Sequence, residues 1–150
     1  MVRILGIDFG DSRTGVAVSD PLGWTAQGLE TVKGGLNATA ERVAQLAEQY
    51  GAEAIVVGYP YNMDGTAGFR AERTDTFIAA LDGALLRKTE VGRAVGIVKW
   101  DERLTSAEAA KTLRATGVKH TSRRGREEGK LDILSAVILL QSYLDRRRTS

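Results

Sequence analysis

Gly6-Ile7-Asp8-Phe9-Gly10-Asp11-Ser12-Arg13-Thr14-Gly15-Val16-Ala17-Val18-Ser19 is the stretch that decides how this chain is read. An apolar strand, Val2–Phe9, runs into a carboxylate, turns at Gly10–Arg13 and returns as a second apolar strand, Thr14–Ser19. So short a connection implies an antiparallel hairpin. An ionised carboxylate in a buried strand is costly unless it is paired or holds a metal. Glycines beside it admit another backbone or a phosphate at close range. Asp8 therefore reads as a carboxylate held on a rigid strand and facing something charged.

Outward from the hairpin, Asp20-Pro21-Leu22-Gly23 is a turn, Trp24–Val32 a third strand, and Gly34-Gly35 closes that block. Leu36, Ala40, Val43, Ala44, Leu46, Ala47 and Tyr50 recur at helical spacing, with Asn37 as N-cap and Gly51 as stop. Ala54–Gly58 is a continuously apolar strand of the kind found in parallel sheets. A loop over Tyr59–Thr66, a helix over Gly68–Leu86 and a strand over Ala94–Trp100 follow. Thr105-Ser106-Ala107-Glu108 is a capping box that opens a third helix ending near Gly117. Val118–Gly129 is basic and glycine-punctuated and reads as a mobile loop; the last helix spans Lys130–Arg146 and, apolar over much of its circumference, should be largely buried. The order β-β-β-α-β-α-β-α-α predicts an α/β fold: one mixed five-stranded sheet, an antiparallel meander plus parallel strands, with helices on both faces. With neither repeats nor a linker, residues 1–150 read as a single domain.

Composition narrows the function. The chain has no cysteine and one histidine, His120, which excludes thiolate zinc sites and a Cys nucleophile and disfavours a Ser-His-Asp triad. No signal peptide and no membrane-length apolar run is visible, so the expected location is the cytoplasm, with no membrane partner. The net charge is only +2, but Lys111, Arg114, Lys119, Arg123, Arg124, Arg126 and Lys130 cluster, and the chain closes on Arg146-Arg147-Arg148. Such clusters suit a polyanion, although solvated helix ends would look the same.

Four acidic residues interrupt apolar elements: Asp8 in the first strand, Asp101 and Glu102 at the end of the last strand, and Asp132 in the first turn of the last helix. Taken singly, each has a bland explanation: Asp132 favours a helix N-terminus, and Asp101 or Glu102 pairs with Arg103. If Asp8, Glu102 and Asp132 converge, their mutual repulsion demands protons or divalent cations, and all-oxygen ligands suit Mg²⁺ or Mn²⁺. Two such ions about 3.5–4 Å apart can activate a water and stabilise the leaving oxygen of a phosphodiester. Glu102 is preferred to Asp101, because adjacent strand residues point to opposite faces and the longer side chain reaches further.

Gly6-Ile7-Asp8-Phe9-Gly10 with Arg13 and Gly15-Val16-Ala17, Val57-Gly58-Tyr59-Pro60 with Asn62-Met63-Asp64-Gly65, Asp101-Glu102-Arg103-Leu104-Thr105, and Lys130-Leu131-Asp132 before Ser135-Ala136 stand in this order. In that register the chain resembles, over nearly its whole length, the YqgF/RuvX family of pre-16S rRNA nucleases, also described as Holliday-junction-resolvase-like. The resemblance implies an RNase H-like fold and divalent-metal-dependent phosphodiester hydrolysis, with Asp8, Glu102 and Asp132 as metal-binding catalytic carboxylates. Tyr59 departs from the family, which usually has Leu between Gly and Pro.

Around these carboxylates, Arg13, Arg103, Arg123, Arg124 and Arg126 are candidate nucleic-acid contacts; Arg13 could equally be an exposed turn residue and Arg103 a residue that orients Glu102. Asn62 and Asp64 either line the cleft or serve the turn. Trp24 and Trp100 read as core aromatics. The expected function is an endonuclease acting on the 5′ end of pre-16S rRNA during ribosome biogenesis. Alternatives are a junction resolvase acting on branched DNA, which would need a homodimer, and a non-catalytic assembly factor. An actin-type ATPase also opens on a strand, Asp and glycines, but needs two such domains.

Overall fold

The computed structural model describes residues 3–62, 64–88, 95–105 and 126–149, with side chains described only from 131 to 148 in the last stretch. Its elements are β1 (Arg3–Asp8), β2 (Arg13–Ser19), β3 (Ala26–Lys33), α1 (Leu36–Tyr50), β4 (Ala52–Tyr59), α2 (Phe69–Arg87), β5 (Gly96–Asp101), a 3₁₀ turn (Glu102–Leu104) and α3 (Arg126–Thr149). The five strands form one sheet in the order β3-β2-β1-β4-β5. Pairing is antiparallel for β1–β2 and β2–β3 and parallel for β1–β4 and β4–β5. The mixed sheet read from the hairpin and the βα alternation is therefore the one formed.

Strand alternation divides the core. Leu5, Ile7, Val16, Val18, Ile55 and Val57 point to one face, where α1 brings Val43 and Ala47 and α2 brings Phe77 and Leu81. Phe9 stacks on Phe77 at 4.5 Å between ring centroids. Ile4, Ala17 and Val56 point to the other face and meet Ala136, Val137, Leu140 and Leu144 of α3. Each fully buried large side chain contributes about 1.5–3 kcal/mol.

Helix α3 lies unusually close to the sheet because glycines open a path for it. A Cβ on Gly15 would stand 1.8 Å from the Asp132 carbonyl oxygen, one on Gly6 2.6 Å from Leu140 Cβ, and one on Gly28 2.4 Å from Ile133 Cγ2. Real contacts of that length do not occur, so these positions admit only glycine while α3 stays where it is.

Several sequence expectations shift. Helix α1 begins at Leu36 with Gly35 as its cap and no capping side chain, so Asn37 is not the N-cap. Leu36 packs on the core and draws the helix start forward. Strand β3 starts at Ala26, because Asp20 Oδ1 accepts the N–H of Trp24 (2.7 Å) and of Thr25 (3.4 Å) and holds both in the turn. Trp24 is consequently not a core residue: it is 56% exposed. Trp100 does pack, edge-on against Tyr143 at 5.4 Å. Helix α3 starts at Arg126, so 126–129 are helical and not loop. Its burial is one-sided, with Leu131 47% exposed. The helix expected to open at the capping box, the loop over 118–125, His120, Arg123 and Arg124 lie outside the described residues, as does the side chain of Arg126.

Candidate metal and nucleic-acid site

Three elements bring the carboxylates to one end of the sheet. Asp8 is the last residue of β1 and shares the α3 face with Ile4 and Gly6. Its partner across the β1–β2 ladder is Gly15, and the Asp132 backbone of α3 rests on that same glycine. Gly58 of β4 plays the same part for the third group: a Cβ there would meet Glu102 Oε1 at 3.0 Å and Leu139 Cδ1 at 2.7 Å. Glycine on each strand flanking β1 thus leaves the space that the other two acids use.

The electrostatics reflect this convergence. Burial first, then the neighbouring charges of Glu102 and Asp132, push the Asp8 carboxyl up to about 6, against the pull of Arg70. Burial also raises Glu102, with Arg70 opposing and Asp101 adding to the rise. A carboxylate repelled by its neighbours and poorly solvated is one that a cation would stabilise. Because α3 begins at Arg126, Asp132 lies in its second turn, beyond the first turn where a helix N-terminus favours acids. One oxygen, Asp132 Oδ2, is buried and accepts no hydrogen bond among the described residues. Arg13 Nε lies 3.0 Å from it as an ion pair off the hydrogen-bonding direction. Arg13 is therefore neither a bare turn residue nor an unengaged phosphate contact; it faces one of the carboxylates.

Asp101 and Glu102 part company because the strand ends between them: Asp101 closes β5 and caps the 3₁₀ turn that Glu102 opens. The Asp101 carboxylate holds the Arg103 guanidinium in a fork, with contacts of 2.7 and 3.0 Å, and accepts the Arg103 N–H at 2.9 Å. These bonds hold its carboxyl below the usual range. Arg103 also reaches the Asn62 carbonyl at 3.4 Å and lies over the Tyr61 ring at 5.4 Å. Asn62 and Asp64 serve the turn: Asn62 Nδ2 donates to Thr66 Oγ1 at 3.0 Å, and Asp64 accepts from the Thr66 N–H at 3.0 Å and hydroxyl at 2.6 Å. Asn62 nevertheless lines a cleft together with Arg70, Glu102 and Arg103.

Arg70 was not singled out by sequence, although one signal exists: a cation in the first turn of a helix works against the helix dipole and calls for another partner. It stands second in α2 and lines the clefts on both sides of Glu102. Phe69 beside it is 74% exposed at the same rim. Arg73, one turn on, pairs with Asp11 at 3.0 Å. The unusual Tyr59 is accommodated without cost to the site: its hydroxyl donates to Asp75 Oδ2 at 2.7 Å, and Lys99 pairs with Asp75 at 2.9 Å and caps the Tyr59 ring at 4.7 Å.

The donor set is all carboxylate oxygen, which suits a hard divalent cation. Among the described residues no group of three acidic, His or Cys side chains is close enough to hold an ion unaided. No helix among the described residues is long and apolar enough to cross a membrane.

A family model described as RuvX, Holliday junction resolvase, matches residues 2–146. A Ruminiclostridium cellulolyticum protein named "Putative pre-16S rRNA nuclease" is 46% identical over 147 residues, covering 97% of this chain and 95% of its own. An Acetivibrio thermocellus protein of the same name is 42% identical over 148 residues, covering 97% of each. Among solved structures, T. thermophilus RuvC in complex with Holliday junction substrate matches with a TM-score of 0.63 at 17% identity, over 100% of this chain and 97% of that one. The yeast mitochondrial Holliday junction resolvase matches with a TM-score of 0.55 at 12% identity, over 95% and 78%. At such identities the likeness is one of fold: the mixed sheet described above is RNase H-like.

Proposed function

Since this chain belongs to the RuvX family, we propose that it is a divalent-metal-dependent endonuclease that hydrolyses phosphodiesters in structured nucleic acid, with the 5′ end of pre-16S rRNA as its substrate. The observation that carries this reading is the convergence of Asp8, Glu102 and Asp132 through glycine-made gaps in the sheet, with the Asp8 carboxyl raised to about 6 by burial and by the other two acids. Asp8, Glu102 and Asp132 would hold Mg²⁺ or Mn²⁺, and the bound ion would supply Lewis-acid chemistry at the phosphodiester.

The chain's own residues do the rest. Burial at the end of β1 keeps Asp8 poorly solvated, which strengthens every charge interaction at the site. Arg70, whose charge acts on both Asp8 and Glu102, meets a phosphate entering the cleft that it lines with Glu102. Arg103, forked on Asp101 and seated on Tyr61, fixes the loop that walls the cleft and turns its outer edge to the nucleic-acid backbone. Arg13 is proposed to contact phosphate once a cation takes Asp132 from it. Arg123, Arg124 and Arg126 precede Asp132 in sequence and would add backbone contacts beside the cut. With a ribosomal precursor as its substrate, the protein would act in the cytoplasm.

A second reading, resolution of four-way DNA junctions, is favoured by the family's own description; it needs a symmetric homodimer to cut two strands as a pair. The test is to incubate the purified protein in Mn²⁺ with a precursor RNA carrying the 16S 5′ leader and, in parallel, with a four-way DNA junction, each beside the Asp8→Asn variant. The expected result is Asp8-dependent cutting of the RNA and an intact junction. Paired cuts in the junction would establish the second reading. Binding without cutting of either substrate would make the protein a non-catalytic assembly factor.

A further inference from the structure

The opposite end of the sheet carries a second surface. Asp132 and Arg148 are 16 residues apart on α3, about 24 Å along its axis; β2 covers about the same span from Arg13 to Ser19. There the β2–β3 turn holds Trp24 outward, the residue 56% exposed and Leu22 beside it 74% exposed. This exposure belongs to a firmly built turn. Asp20 accepts the Trp24 N–H at 2.7 Å, the Asp20 N–H donates to the Thr25 carbonyl at 2.9 Å, and Gly23 supplies a φ of +72°. From below, Gln141, 2% exposed, donates to the Trp24 carbonyl at 3.0 Å and accepts the Ala26 N–H at 2.9 Å. Arg148 adds a 2.8 Å bond to the same carbonyl and lays its guanidinium 4.8 Å from the indole centroid.

A tryptophan fixed by a buried glutamine, backed by a cation and left more than half open is a ready stacking platform. Arg146, Arg147 and Arg148 are all exposed, against Asp145 and Glu53 as the acidic partners of the latter two. Together with Pro21 and Leu144, Trp24 and the two last arginines line a cleft of about 570 Å³.

We propose that this cleft is a second nucleic-acid contact, taking an unpaired base onto the open face of Trp24 and the adjoining phosphates onto Arg147 and Arg148. It grips the flank of a strand whose other part lies over the carboxylates. The positive edge and the open indole favour a nucleic-acid strand over an apolar protein segment. The proposal rests on nucleic acid being the substrate, and not on the carboxylates carrying out the cleavage.

The experiment measures binding of a 20-nucleotide single-stranded pyrimidine RNA to the cleavage-silenced Asp8→Asn protein, by anisotropy of the labelled strand and by indole emission. Trp24→Ala should weaken binding about tenfold, Trp24→Phe should restore most of it, and the strand should quench an emission component that Trp24→Phe removes. Arg147→Gln with Arg148→Gln, in a protein whose circular dichroism matches wild type, should lower the slope of log affinity against log salt by about 1.4. Unchanged affinity and salt slope in Trp24→Ala and in the double variant would overturn the proposal, and so would an indole emission that ignores the strand. These outcomes are independent of cleavage: an inactive wild-type protein that still binds through Trp24 defeats the proposed function alone.

Discussion

At Asp8 folding works against ionisation. The carboxyl titrates near 3.8 when unfolded and near 6 when folded, so the folded state holds its proton over that interval while the unfolded state releases it. Stability therefore falls as pH rises from about 4 to about 6, and above that the penalty stays constant at about 3 kcal/mol. Asp8→Asn removes the charge and most of this penalty. Chemical denaturation in EDTA should find the variant more stable than wild type at pH 8, by up to about 3 kcal/mol, and equal to it at pH 4. No difference at pH 8 would show that Asp8 is neither desolvated nor crowded by Glu102 and Asp132. The same substitution should abolish cutting, so the residue is kept at the expense of stability. Arg70 pulls in the opposite direction on both Asp8 and Glu102. Arg70→Gln should move the acid limb of the cleavage pH profile to higher pH; an unmoved limb would mean that its charge does not reach the site.

At the scale of elements, the site depends on how closely α3 can lie on the sheet. Gly15→Ala puts a methyl 1.8 Å from the Asp132 carbonyl oxygen, and neither backbone can yield without moving Asp8 or Asp132. The expected loss is at least about 2 kcal/mol by urea denaturation, together with loss of cutting. Gly96→Ala, where nothing among the described residues lies within 4 Å, is the control and should stay within about 0.5 kcal/mol of wild type. An equally mild Gly15→Ala would contradict the tight contact. The elements themselves were legible because their signals are local: alternation in β1 and β2, helical spacing in α1, an apolar run in β4. Much of what failed was set by partners distant in sequence. Gly15 reads as a strand glycine until α3 arrives 117 residues later to occupy its missing Cβ. Trp24 reads as core until Asp20 closes the turn and Gln141 and Arg148 fix it outside. Arg70 is one arginine among many until folding sets it against Asp8 and Glu102. At the strand end the alternation argument does not apply, because β5 stops at Asp101; a 3₁₀ turn capped by Asp101 separates it from Glu102 and sets the fork with Arg103.

For the molecule as a whole, among the described residues α1 and α2 pack on one face of the sheet and α3 on the other. All three carboxylates stand at one end of the α3 face, and the basic, aromatic edge stands at the other. A strand lying along this axis would meet cations before and after the cut. Binding should therefore weaken steeply with salt, with log affinity falling linearly in log salt; a flat dependence would point to a small uncharged ligand.

The central claim, that Asp8, Glu102 and Asp132 form one metal-dependent hydrolytic site, is tested most directly by the rate of precursor-RNA cleavage in Mn²⁺ for wild type, Asp8→Asn and Asp132→Asn, each repeated in EDTA. Wild type should cut only with the metal, and each variant, still folded, should be at least about a hundredfold slower. Cleavage in EDTA, or wild-type rates in both variants, would contradict the claim.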